Sequence, residues 1–234
     1  MDESPAGNPD HETAADVKAE SVLLERAIGG WRGIIDSGLP TVVFVVAYLV
    51  MSAQPVERAV AVSAAIAAAT GAVIAVVRLV RREPLQQVLA GFAGLAISAF
   101  FAWRTGRAEN FFLPGLLTNI AYGTAFLIGN LVTWPLLGIA MGYLTGERTA
   151  WRQDQRLRRT YAAASWLWVG VFYFRVVVQV PLYLAHAVTA LGIVKVLMGW
   201  PLFLAGAYVT YRVLAPVFEE RRALAARKAA GPQE

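Results

Sequence analysis

Long apolar stretches recur between about Gly38 and Tyr211, and the short segments that separate them carry most of the arginines. The average soluble domain has about 25% charged residues, whereas 16% of this chain is charged and 57% is hydrophobic. Because a soluble fold of 234 residues cannot bury so much apolar surface, lipid must solvate much of it. The pattern predicts an all-α fold, a polytopic integral membrane helix bundle.

A helix needs about 20 apolar residues to cross the hydrocarbon core of a bilayer. Six stretches within residues 34–213 approach this length, and we predict spans at about 34–53, 59–77, 85–103, 111–131, 161–184 and 187–211. A further apolar run, 132–145, follows the fourth span and contains Pro135, which interrupts helical hydrogen bonding. We interpret 132–145 as a bent or interfacial extension of that span, and a seventh crossing is the alternative.

The flanking segments differ from the spans in composition. Residues 1–16 are acidic and polar and are predicted to be a disordered tail. Residues 17–33 are predicted to be an amphipathic segment at the membrane interface, and residues 214–234 form a basic tail. The start of the chain has no basic region followed by an apolar one, so we expect the first membrane helix, rather than a cleavable signal peptide, to direct insertion.

Basic residues are concentrated in three segments: the connection 78–84, the connection 146–160 and the C-terminal tail. The positive-inside rule assigns such segments to the cytoplasm. All three share one side only if 111–145 crosses the membrane an odd number of times. We therefore expect six spans in the plasma membrane, with both termini cytoplasmic and the basic segments binding anionic lipid.

Small residues indicate where helices pack against each other, because membrane helices associate through close backbone approach. Gly192, Gly199 and Gly206 are seven residues apart and predict one packing seam on the last span. Gly94 belongs to a similar series on the third span. The alternative is that small residues are simply common in membrane helices. Such faces would serve a homo-oligomer or partner membrane helices.

Polar residues inside the spans are the candidate site. Arg175 and Lys195 should each cost about 2.5–3.5 kcal/mol in the membrane unless they are compensated. With a rise of 1.5 Å per residue, both of them and Asn119 lie roughly 12–13 Å from the outer span ends. Gln179 follows Arg175 by four residues and shares its helix face.

The only acidic residue within the predicted spans is Asp36, at the inner rim of the first. The functional interpretation is therefore a water-filled, electropositive pocket for an anionic or carbonyl-bearing ligand. The alternative for both cations is that they extend to the headgroups. The alternative for Asn119 is that it hydrogen-bonds a neighbouring helix.

Other chemistry finds no support in the chain. There is no cysteine, and no metal-binding, phosphate-loop or hydrolase motif is present. We expect no enzyme activity, no cofactor and no metal. A nucleic-acid partner is not expected either, because the chain lacks a basic soluble domain.

Four segments together resemble the actinobacterial membrane proteins grouped as domain of unknown function 3159: GGWRGIIDSGLP (29–40), FFLPGLLTNIAYGTAFLIGNLVTWPLLG (111–138), FYFRVVVQVPLYL (172–184) and GIVKVLMGWPL (192–202). The resemblance covers about residues 25–215. It implies a helical bundle in the plasma membrane, but no activity and no role for any polar residue. The chain is more distantly similar to bacterial intracellular septation proteins, which are small polytopic proteins of the cell envelope.

Two functions follow as hypotheses. The preferred one is a structural or assembly protein of the cell envelope, because the chain contains no reactive constellation. The alternative is a transporter, channel or sensor for a small solute, such as an anion, that uses the intramembrane cations.

Overall fold

The computed structural model describes residues 30–54, 58–144, 146 and 148–229, and describes side chains within residues 38–219. The predicted tail 1–16, positions 17–29 of the predicted interfacial segment, and residues 230–234 lie outside the described residues. Every regular element in the described part is helical.

The elements in chain order are α1 Gly30–Ser52, α2 Ala59–Val80, α3 Leu85–Thr105, a 3-10 turn Ala108–Phe111, α4 Leu113–Leu131, α5 Leu136–Leu144, a second 3-10 turn Ala150–Gln153, α6 Gln155–Leu184, α7 Val188–Leu197 and α8 Trp200–Ala229.

The helices have the length and composition of membrane spans. Among the described residues, α2, α3, α6 and the unit Val188–Glu219 are each long and apolar enough to cross a bilayer, and α4 with α5 makes a fifth if this bent pair is one span. The apolar part of α1 with described side chains, Gly38–Ser52, is shorter than a full span. Large apolar side chains such as Val73 and Phe100 are exposed on the outside, as lipid contact requires. The fold is a helical membrane bundle.

The chain bends by 88° between α4 and α5. Thr133 adopts a left-handed backbone conformation with φ of 60°, and the N–H of Trp134 donates to the carbonyl of Gly129 at 2.7 Å. Pro135 then precedes α5 and has no N–H with which to continue the α4 hydrogen-bond pattern. The segment after α4 therefore leaves the direction of the span.

The predicted straight span 187–211 is broken in the structure, because α7 ends at Leu197 and α8 begins at Trp200. Pro201 lies in the first turn of α8, where a missing N–H is tolerated. The helix resumes after Gly199, whose carbonyl accepts from the N–H of Phe203 at 3.2 Å.

Gly192, Gly199 and Gly206, predicted to form one seam, have different surroundings in the structure. Gly192 packs closely on α1, where an added Cβ would lie 2.5 Å from a methyl carbon of Val45. Gly206 faces α6 across ordinary van der Waals distances. A Cβ on Gly199 would meet the carbonyl of Lys195 at 3.0 Å, so this glycine serves the break itself.

The main apolar core holds the first 3-10 turn inside the bundle. All four residues of this turn, Ala108–Phe111, are buried. The ring of Phe111 stacks on that of Phe44 from α1, with centroids 3.9 Å apart, and Phe112 is buried beside it. The connection between α3 and α4 therefore places two phenyl rings deep between the helices.

Candidate functional site: a cationic cavity

The four predicted polar residues line one cavity of about 770 Å³: Arg175, Gln179, Asn119 and Lys195. They come from α4, α6 and α7, and Gly38 and Thr41 of α1 add a further wall. Ligand pockets typically have volumes of roughly 300–1,000 Å³, so this cavity has the size of a ligand site. The structure brings together the whole predicted set.

Arg175 points toward the break between α7 and α8. Its Nη2 donates to the carbonyl of Gly199 at 2.6 Å, a charge-assisted hydrogen bond. Its Nε is buried and has no hydrogen-bond partner in the described part of the chain. The guanidinium therefore faces the cavity wall and retains an unused donor.

Lys195 lies in the last turn of α7, where the helix dipole favours a cation. Its Nζ lies 5.3 Å from the ring centroids of both Phe111 and Phe112, within the range of cation–π attraction. Among the described residues it forms no ion pair with a carboxylate. Aromatic faces therefore compensate this charge only in part.

The two amides have different environments. Nδ2 of Asn119 donates to the carbonyl of Gly115 in its own helix at 2.8 Å, so this bond does not join two helices, contrary to the alternative considered for Asn119. Gln179 is 5% exposed and lines the cavity one turn after Arg175. Both amides add hydrogen-bonding capacity beside the two cations.

The remaining wall of the cavity is apolar. It is formed mainly by the residues around the helix break and the start of α8: Val196, Leu197, Met198, Trp200, Pro201, Phe203 and Leu204. One side of the cavity can therefore bind a charged group, and the other can bind hydrocarbon.

Thr41 is a site residue that the sequence prediction missed. It is 5% exposed and lines the large cavity as well as a second cavity of about 210 Å³. A signal was present, because Thr41 is a polar residue after Pro40 in an otherwise apolar stretch.

Gly94, predicted to pack against a neighbouring helix, instead lines the second cavity. An added Cβ at Gly94 would meet no heavy atom within 4 Å. Within this chain, Gly94 therefore provides space rather than a helix contact.

A polar cluster lies at the end of the bundle where α3 connects to α4. Oε1 of Glu109 lies 2.7 Å from Nδ1 of His186 and 2.9 Å from Nε of Arg107. Burial alone would raise the pKa of Glu109, but hydrogen bonds from its backbone N–H, His186 and Arg107, with the charge of Arg107, together lower that pKa below its ordinary value. Tyr183 also donates to Asn110. These bonds fix the 3-10 turn to the connection between α6 and α7.

A bundle of apolar helices around a cavity lined by Arg175 and Lys195 fits the class of helical membrane proteins. The family described as "Protein of unknown function (DUF3159)" matches residues 28–221, and the chain belongs to this family. No curated protein and no solved structure matches the chain.

Proposed function

We propose that this protein binds a small anionic amphiphile in the 770 Å³ cavity, as a step in its transport or sensing. The ligand class is a carboxylate or phosphate monoester joined to an apolar chain. One observation carries the proposal: Arg175 and Lys195 line the same cavity, and neither is paired with a carboxylate among the described residues.

Both cations are costly inside a membrane. An intramembrane cation costs about 2.5–3.5 kcal/mol on an insertion scale. Arg175 recovers part of this through Gly199, and Lys195 recovers part through two phenyl rings. A bound anion would offset the remainder by pairing with the guanidinium and ammonium groups that line the cavity.

The apolar wall determines the rest of the ligand. Trp200, Phe203 and Leu204 face the same space as the two cations. A fully hydrated inorganic ion would leave this surface in contact with water, whereas a hydrocarbon chain would cover it. An amphiphile therefore fits both walls better than an inorganic ion does.

We also propose six crossings of the plasma membrane, with cytoplasmic termini. The 23 residues of α1 extend about 34 Å at 1.5 Å per residue, long enough for the sixth crossing. The exposed side chains of Arg156, Arg158 and Arg159 then meet the anionic cytoplasmic lipid surface. In this topology the end of the large cavity at Gly115 and Asn119 lies toward the outer membrane surface.

An assembly role in the cell envelope is the competing proposal, and it was preferred from the sequence alone. The cavity shifts the balance, because two of the residues expected at packing faces serve other purposes. Gly94 borders open space, and Gly199 supports the helix break. Replacing Gly199 with Leu would therefore disturb the break rather than test an intermolecular face. We propose no catalytic role for the site.

The test measures whether anions stabilise the protein purified in a neutral detergent. Dodecanoate and dodecyl phosphate should raise the midpoint of thermal unfolding, and dodecyltrimethylammonium should not. Ligand at 100 times its Kd adds about 2.7 kcal/mol to the free energy of unfolding. Short-chain phosphatidylglycerol in a parallel titration distinguishes a lipid headgroup from a free amphiphile.

Two variants and one control make this test specific. Arg175→Met and Lys195→Met should each abolish the anion-dependent rise. Arg104→Met should retain it, because Arg104 is exposed at the end of α3 and does not line the cavity. An equal rise with the cationic amphiphile, or an undiminished rise in both cavity variants, would refute the proposal.

A further inference from the structure

The second cavity lies beside the first and reaches the same lysine. It has a volume of about 210 Å³ and is bordered by α1, α2 and α3, with Arg78 at one end and Lys195 at the other. Thr41 and Lys195 line both cavities. The two spaces therefore meet at one lysine and one threonine.

Small residues of α3 create the second cavity. Gly91, Gly94 and Ser98 line it, and an added Cβ on either glycine would meet no heavy atom within 4 Å. Its volume is below the roughly 300–1,000 Å³ of most ligand pockets, but it exceeds the volume that several waters need. This cavity suits a hydrated polar group rather than a whole amphiphile.

Consecutive phenylalanines separate the two spaces. Phe111 lines the small cavity and Phe112 lines the large one. Both rings lie 5.3 Å from Nζ of Lys195 and are nearly completely buried. Movement of the 3-10 turn, which ends at Phe111 directly before Phe112, would change the opening around this lysine.

The two cavities extend toward opposite membrane surfaces. Arg78 lies in the last turn of α2, next to the basic connection that contains Arg81 and Arg82. The large cavity includes Gly115 and Asn119, near the opposite end of the bundle at the start of α4. Lys195 therefore has polar space on both sides.

We propose that the two cavities are the halves of one path across the membrane, with Lys195 and Thr41 at its waist. The protein then transports its anionic ligand rather than only binding it. This inference rests on the proposed function, because the path serves the ligand that the large cavity binds.

The test uses the fact that the 234-residue chain contains no cysteine, so an introduced cysteine is the single reactive thiol. Thr41→Cys is treated with membrane-impermeant methanethiosulfonates, one anionic and one cationic. The reagents are added to intact cells and, separately, to inverted membrane vesicles. If the path exists, Thr41→Cys should react from both sides of the membrane. The reaction should be at least tenfold faster with the anionic reagent than with the cationic one.

Matched variants locate the two halves. Gly115→Cys lines the large cavity and should react from the outside, whereas Gly94→Cys lines the small cavity and should react from the inside. Gly170→Cys is the control, because Gly170 is exposed on α6 and lines neither cavity. It should react at least tenfold more slowly than Thr41→Cys from either side.

Reaction of Thr41→Cys from one side only, or at the rate of Gly170→Cys, would overturn the path. If Thr41→Cys does not reach the membrane, Lys195→Cys repeats the test, since it also lines both cavities. If Thr41→Cys is labelled from one side only while anions still stabilise the protein, the path is refuted but the proposed function is not. Two-sided labelling without anion-dependent stabilisation would refute the proposed function instead.

Discussion

Replacing Lys195 with Met should make the ligand-free protein more stable. A lysine inside the membrane costs about 2.5–3.5 kcal/mol on an insertion scale. The structure provides two cation–π contacts, at 5.3 Å from Phe111 and Phe112, each worth about 0.5–1 kcal/mol. Met is unbranched and flexible and can fill irregular space. Removal of the charge should therefore raise the free energy of unfolding by about 1–2 kcal/mol on these scales.

Thermal unfolding in detergent, followed by tryptophan fluorescence, measures this gain. For soluble domains of 150–250 residues, 1 kcal/mol changes Tm by about 2–4 °C. On that scale Lys195→Met should unfold about 2–8 °C above the wild type. Lys195→Arg keeps the charge and serves as the control, with no such rise expected. Lys195→Met should also lose the stabilisation by dodecanoate.

A lower Tm for Lys195→Met would refute this reasoning. It would mean that the lysine stabilises the bundle, so that its charge is already compensated without a ligand. The cavity would then contain a structural cation, and the case for an anionic ligand would lose its energetic basis.

Two further substitutions test the packing and the polar cluster at Glu109. Gly192→Leu should lower the free energy of unfolding by about 1–3 kcal/mol, measured by the same melting assay, because its side chain would overlap Val45. The lowered pKa of Glu109 implies stabilisation that is complete above the ordinary carboxylate pKa and is lost as pH falls through the lowered value. Tm measured from pH 7 to pH 3 should therefore fall less steeply in Glu109→Gln than in the wild type.

Two properties of the sequence made predictions possible: its apolar composition and the constant rise per residue of a helix. Apolar stretches of span length define the membrane bundle. Residues at similar distances from the ends of their spans lie at similar depths. The sequence alone therefore predicts one level for Arg175, Lys195 and Asn119. The i, i+4 spacing placed Gln179 beside Arg175. The structure brings these residues into one cavity.

Contacts between distant segments could not be predicted in this way. No sequence pattern pairs His186 with Glu109, yet the two side chains bond across 77 residues of sequence. Glycine spacing predicted one seam, but Gly199 falls between α7 and α8, and Gly192 and Gly206 face different helices. The depth of a residue follows from its own helix, whereas its partner depends on how two helices are rotated against each other.

The distribution of counter-charges distinguishes this cavity from a buried salt bridge. Glu83 pairs with Arg78 at one end of the two cavities, and Glu109 pairs with Arg107 and His186 at the end of the bundle where α3 connects to α4. Between these pairs, Arg175 and Lys195 have no carboxylate partner in the described part of the chain. A buried ion pair would satisfy itself and exclude a ligand. Here both cations line one cavity, and the proposed anionic ligand would supply the negative charge that they lack.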